Sequence, residues 1–344
     1  MRPLMTLALS ALLPACDGPV DARQRERIPE QDVPPGQRTV EPAPWPADAS
    51  VVFYNVENLF DTRNDPGPGD DDLTPEGALK WTQERYTRKL QHLAEAISLA
   101  GEDLPLLVGL CEVENAGVVE DLARTSPLGT ERYAVVHHDS PDERGIDVAL
   151  LYQERLFNLL AEEALTVPLD NDRTRDILHA TLASRSDTFH VFVNHWPSRR
   201  EGQERSEPKR MAAAAVLASA IKQVRTGPRT HVLVMGDFND TPTDRSIREG
   251  LGAGCTPTAE LVDLMCVDQP TGHGSHQYQG EWAYLDQFMV DRTLAGRVAE
   301  AKAVWDERLL FKHPRYGRSP NKTYSGNSYK GGYSDHLPIV LRLK

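Results

Sequence analysis

Val232-Leu233-Val234-Met235-Gly236-Asp237-Phe238-Asn239-Asp240 is an apolar run that stops abruptly in acids and an amide. The run itself reads as a buried strand. A second segment, Ser334-Asp335-His336-Leu337-Pro338, stands just before the last apolar run, Ile339-Val340-Leu341. An Asp and an Asn closing one strand can meet an Asp-His pair opening another at one edge of a sheet. That set of side chains suits holding a divalent cation and breaking a phosphate ester. Either segment alone is weak; the two in this order are the strongest signal in the chain.

Other strands break the same way. Val51-Val52-Phe53-Tyr54 stops at Asn55-Val56-Glu57, Pro105 to Leu110 runs to Glu112, and Phe189 to Val193 ends at Asn194-His195. Asp147 to Tyr152 is a further strand, preceded by Arg144-Gly145. Tyr284-Leu285-Asp286-Gln287-Phe288 carries an acid inside a strand, where burial is costly without a partner. A histidine is the natural partner, and His336 is the candidate; such a pair fixes the tautomer and stabilises the charged ring. Tyr86, Leu90, Leu93 and Ile97 share one helical face, and Met211 to Val224 is Ala-rich and helical. Strands and helices mix without strict βαβ alternation. That favours an α+β sandwich over a doubly wound sheet.

The chain has 344 residues, 40% of them hydrophobic, which supplies a sizeable core. Its formal charge of −13 gives no general attraction for polyanions, so a polyanionic substrate needs a metal or a local basic surface. Cys16, Cys111, Cys255 and Cys266 contain no CxxC pair. Cys255 and Cys266 flank a short loop and read either as a disulfide or as two thiols; Cys111 reads as a buried thiol.

Arg2 and the apolar stretch Leu4 to Leu13 fit a signal-peptide core and are too short to span a bilayer. Leu13-Pro14-Ala15-Cys16 resembles a lipoprotein cleavage box with Cys16 as the lipidated residue, although Pro14 is atypical; an ordinary secretory peptide is the alternative. The expected organisation is a leader over 1–16, a Pro-rich tether over 17–49 and one folded domain over 50–344. The expected location is outside the cytoplasm, as a periplasmic or cell-envelope lipoprotein or a secreted protein.

At this point the chain resembles a known superfamily. YNVEN, LCEVEN, RGIDVALLY, NHWPSRR, GDFND, YLDQFMV and SDHLP occur in the order seen in the endonuclease/exonuclease/phosphatase superfamily. The resemblance covers about Ser50 to Lys344 and looks closest to exported bacterial endonuclease-like members. It implies a four-layer α/β/β/α sandwich like DNase I and a divalent-metal-dependent hydrolase of phosphoesters. It further implies that Glu112 is the main Mg²⁺ ligand, helped by Asn55, Glu57 and Asp335, with Mn²⁺ as a substitute. Glu57 stands where the nucleases more often have Asp. Asp237 would orient or deprotonate water and Asn239 would hold a phosphate oxygen. His336 with Asp286 would stabilise the transition state or serve as acid/base, and His195 would donate to a non-bridging oxygen. Arg144 and Asp147 are expected to brace the site, with a plain surface ion pair as the alternative.

For substrate, the residues leave alternatives open. Arg199 and Arg200 follow His195 directly, and Arg173 and Arg175 form a second basic pair; they read as phosphate contacts or as solvated mixed-charge loops. Lys312 to Lys330 interleaves Tyr316, Tyr324 and Tyr329 with cations, as a nucleotide clamp or a lid would. Asp70-Asp71-Asp72 reads as a solvated acidic loop, with a structural Ca²⁺ as the alternative. DNA or RNA is the expected substrate. A phospholipid or sugar phosphate is the first alternative, and an inactive binding module the second.

Overall fold

Strand residues alternate between two faces, and in the computed structural model of this chain the alternation builds a six-stranded and a seven-stranded sheet. The structure describes residue 46 and residues 49–66, 69–170, 172–185, 187–224, 227–266 and 272–344. The chain divides into Met1–Thr39 and Val40–Lys344, and every described residue lies in the second unit. The expected leader with Cys16 lies outside the described residues, as does the expected tether apart from positions 46 and 49.

Strands β1 (Ser50–Leu59), β2 (Leu107–Val113), β3 (Tyr133–His137) and β4 (Asp147–Gln153) enter the first sheet. The next seven form the second sheet: β5 (Asn158–Leu165), β6 (Ile177–Ser184), β7 (Asp187–His195), β8 (Thr230–Asp237), β9 (Ala253–Gly254), β10 (Leu261–Asp263) and β11 (Asp286–Asp291). Then β12 (Val298–Ala303) and β13 (Ile339–Leu343) return to the first. The orders are β12-β13-β1-β2-β4-β3 and β5-β6-β7-β8-β11-β10-β9.

The sheets stack face to face. Val51, Leu107 and Leu341 of one meet Phe189 and Leu233 of the other around a small apolar gap. Gly109 lets them come close: a Cβ there would lie 2.6 Å from Met235 Sδ, on the opposite sheet. Helices α1 (Gln83–Ser98) and α2 (Ala116–Arg124) bury Leu93, Ile97, Val119 and Leu122 in the same core as the first sheet. Helix α3 (Gln203–Gln223) lays Ala213, Ala214 and Leu217 on Phe192, Val232 and Val234 of the second. The result is the α/β/β/α sandwich.

Helix α3 begins at Gln203, where the Ala-rich pattern placed the start at Met211. Its first turns carry charge in place of an apolar stripe. They are anchored by Arg210, fully buried, whose Nε lies 2.6 Å from the Asp240 carboxylate.

Candidate active site

The inner-facing positions advance by two, and at one end of the sandwich each row turns polar. Phe189, Val191 and Val193 lead to His195, Leu233 and Met235 lead to Asp237, and Val290 and Phe288 lead back to Asp286. Parallel pairing of β7 with β8 sets His195 opposite Asp237, and antiparallel pairing of β8 with β11 sets Asp286 opposite Asp237. On the facing sheet, Val51 and Phe53 lead to Asn55.

Irregular backbone aims the remaining acids. The register of β1 shifts between Asn55 and Leu59, and that of β2 between Cys111 and Val113. Glu57, Asn58 and Glu112 sit in these irregularities with φ of 51°, 58° and 63°, and Asn239 holds 51° just after β8. Non-glycine residues in the left-handed region persist only where their surroundings over-determine them, and bulges re-aim side chains beside active sites.

Three couples bridge the sheets. Asn55 Nδ2 donates to Asp237 Oδ2 at 3.0 Å. His336 Nδ1 lies 2.7 Å from Asp286 Oδ2, which fixes the tautomer and leaves Nε2 facing inward, 3.8 Å from Asp237 Oδ2. His195 Nε2 lies 3.9 Å from Glu112 Oε1 and 3.8 Å from Asp237 Oδ2. Ser334 ties the last segment to β1, since its hydroxyl donates to Asn55 O at 2.7 Å and accepts from His336 N at 3.1 Å.

The environments push these groups apart electrostatically. Burial raises the Asp237 carboxyl, Asp286 adds to it, and it titrates at about 7. Burial opposes the charged form of His336, but Asp286, Asp237 and Asp335 outweigh it and hold the ring well above its usual value. Burial and the cations Arg175, Arg144, His336 and Arg200 hold His195 well below it. The acids around His336 thus favour its charged form, while burial and the cations around His195 favour its neutral ring. Asn239 braces this group: its N–H donates to Asp237 Oδ1 at 2.9 Å and its Nδ2 to Trp196 O at 3.0 Å.

The expected metal ligands lie at the same end. Glu57 accepts the Thr323 and Tyr324 N–H groups at 2.6 and 3.3 Å. Burial and Asp335 raise it to about 7, which shows the two carboxyls repelling each other. Lys89, buried on α1, balances Glu57, Asp335 and Glu112, and burial lowers it to about 8. Its ammonium donates to Thr323 Oγ1 and Tyr333 O, both at 2.6 Å. Three acids with Asn55 form a hard-oxygen donor set whose repulsion a cation would relieve, so the residues fit a divalent ion. Among the described residues, the groups with ligand atoms mutually within 4.8 Å at this end are Asp237-Asp286-His336 and Cys111-His195-Asp237. The expected acids are spread more widely. No such group forms at the Asp70-Asp71-Asp72 loop among the described residues, where Asp70 accepts Asp65 N and Asp71 accepts Asn64 Nδ2.

The expected substrate arginines divide. Arg175 is buried and spent on His195 O, Trp196 O and Asp142, so it props the His195 loop instead of meeting substrate. Arg199 is spent on Asn239 O, Asp240 and Asp244. Arg173 and Arg200 are exposed, and the charge of Arg200 reaches His195. The Tyr324 hydroxyl donates to Leu79 O at 3.1 Å. Arg144 Nη2 lies 3.4 Å from Glu112 Oε1 and donates to Asn58 Oδ1 at 2.8 Å. Asp147 acts one step away, holding Ser140 and His137. Sequence reasoning missed Lys89, His276 and Ser334. Lys89 lies at helical spacing from Tyr86 and Leu93, a signal that a buried cation was on the apolar face. The His276 ring lies against that of His336, tilted by 40° with centroids 4.6 Å apart.

Facing carboxylates, one histidine held by an acid and a second beside Glu112 and Asp237, at one end of a β-sandwich, fit a hydrolase of phosphoester bonds that depends on a divalent metal. The chain belongs to the Endonuclease/Exonuclease/phosphatase family, whose profile matches residues 50–344. Solved structures share the fold at low identity. One is D. rerio TDP2 complexed with single strand DNA product, at 15% identity and TM-score 0.55, covering 87% of this chain and 100% of that one. A mannosyl-6-phosphatase from Bacteroides thetaiotaomicron matches at 14% identity and TM-score 0.53, covering 86% and 99%. The human Nocturnin catalytic domain matches at 18% and 0.51, covering 86% and 94%. No curated protein sequence matches the chain.

Proposed function

We propose that the protein is an exported phosphodiesterase that hydrolyses nucleic acid. The observation that carries the chemistry is the cross-sheet array in which His336 Nε2 and His195 Nε2 each lie 3.8 Å from Asp237 Oδ2. Asp237, titrating near neutrality and held by Asn55 and Asn239, is placed to orient a water and take its proton. The His336 imidazolium, steadied by Asp286, faces charge that develops on the phosphoryl or leaving oxygen, and neutral His195 donates from the other side. Glu112, Asn55, Glu57 and Asp335 would hold Mg²⁺. That ion, when bound, supplies Lewis-acid stabilisation of the phosphoryl oxygens.

The polymer reading draws support from the exposed Arg173 and Arg200 and from the DNA-bound D. rerio relative. The mannosyl-6-phosphatase relative supports the sugar-phosphate alternative. Export draws support from the leader pattern and from the Cys255–Cys266 disulfide, since such bonds persist in oxidising compartments. The test is nicking of supercoiled plasmid by the purified protein with Mg²⁺, with EDTA and His336→Ala controls. Metal-dependent nicking lost in the variant is expected. Hydrolysis of small phosphoesters without nicking would move the substrate to sugar or lipid phosphates.

A further inference from the structure

Two hairpins beside the histidine pair carry features that hydrolysis does not use. One pairs His276–Tyr278 with Glu281–Ala283, the other Leu310–His313 with Gly317–Pro320. They dock together: Gln277 Nε2 donates to Tyr316 O at 3.2 Å and to Arg318 O at 3.0 Å. At the root, His276 forms a β-bridge with His336 and their tilted rings lie 4.6 Å apart, so the assembly is continuous with the reacting centre. From His276 to Tyr278 the strand advances about 7 Å.

The outward side is aromatic and basic. Tyr278 is 69% exposed and Phe311 51%, and with Leu160 they are the exposed large hydrophobic side chains among the described residues. The row continues from Phe311 to His313 and from His313 to Tyr316, with centroids 6.5 and 4.8 Å apart. The Arg315 guanidinium lies 5.2 Å from the centre of the Tyr316 ring. Lys312 and Arg318 pair across the hairpin on the face opposite Phe311 and His313, with Arg318 2.5 Å from Glu307, and the charge of Lys322 reaches His276. With Arg318 and Glu307 paired, Lys312, Arg315 and Lys322 stand against Glu281 on a chain whose formal charge is −13.

We propose that this ledge is a stacking platform for single-stranded nucleic acid, holding bases next to the phosphate under attack. The inference rests on the nucleic-acid reading above. Flat rings accept the face of any base, and interleaved cations neutralise the phosphates between them. A bilayer would call for one continuous apolar face, and here Gln279, donating to the Tyr278 hydroxyl, and Arg315, set over the Tyr316 ring, break up the rings.

The test uses the full chain and the double variant Tyr278→Ala/Phe311→Ala, with circular dichroism confirming that both fold alike. In EDTA, binding of a labelled single strand of about twelve nucleotides is read by fluorescence anisotropy. The variant is expected to bind about tenfold more weakly. With Mg²⁺ its KM for that strand rises, while kcat and KM for bis(p-nitrophenyl) phosphate stay as in the parent. Equal binding and equal KM, with the strand still cleaved, would overturn the ledge alone. A parent that hydrolyses the small ester and neither binds nor cleaves the strand would overturn the nucleic-acid reading and the ledge with it. Co-sedimentation with phosphatidylglycerol vesicles, lost in the variant, would assign the ledge to lipid.

Discussion

His336 Nδ1 lies 2.7 Å from Asp286 Oδ2, although Asp286 belongs to one sheet and His336 enters the other. The carboxylate sets which ring nitrogen faces the cleft and holds the ring protonated. Asp286→Asn keeps the shape and removes the charge. We expect kcat to fall about 10²- to 10⁴-fold, the range of general acid–base contributions. The imidazolium is present below the pKa of His336 and lost as pH rises through it, so loss of Asp286 moves the alkaline limb of kcat/KM to lower pH. A pH–rate profile with an unchanged alkaline limb would contradict the assigned role.

Lys89 sets the charge beneath the acids. Lys89→Met keeps the stem and removes the cation that balances Glu57, Asp335 and Glu112. Divalent-ion binding is expected to tighten several-fold, read from the concentration of Mg²⁺ at which the Tm rise is half complete. An unchanged midpoint would leave Lys89 a packing residue only.

Away from the site, Asp263 offers a pH test of stability. Burial pushes it up to about 7, and Met265 N–H, donating at 2.8 Å, only partly compensates. The folded state then binds a proton below about 7 that the unfolded chain binds only near 4, so this group makes stability fall as pH rises between those values. Asp263→Asn is expected to stabilise by about 1–3 kcal/mol at pH 8 and to change little near pH 4. Denaturant melts at the two pH values decide it.

The Cys255–Cys266 bridge closes a separation of 11 residues. Replacing both with Ala is expected to cost about 2–3 kcal/mol through loop entropy returned to the unfolded chain. A matching Tm drop should follow reductant in the parent and not in the variant.

The sequence made legible those parts of the site that end a buried strand. Asp237, Asn239, Asp335 and His336 stand next to apolar runs, and Asp286 between Leu285 and Phe288 demanded a partner that the structure supplies. Contacts made only by tertiary packing were not legible. Arg175 and Arg199 looked like a basic surface, yet carbonyls and acids from distant segments absorb them. Strand β5, Asn158 to Leu165, is largely exposed and carries Ala and Glu, so neither alternation nor β-propensity marks it; pairing with β6 alone makes it a strand. The irregularities that aim Glu57 and Glu112 have no glycine to announce them.

Because Asn55–Asp237, His336–Asp286 and Glu112–His195 each join opposite sheets, the centre does not exist in either sheet alone. The hairpins and crossovers of each sheet can form first, and the chain remains chemically silent until the sheets close over Gly109 and Met235. Turnover thus requires the two sheets to be docked. In refolding, the appearance of activity would report the docking of the sheets.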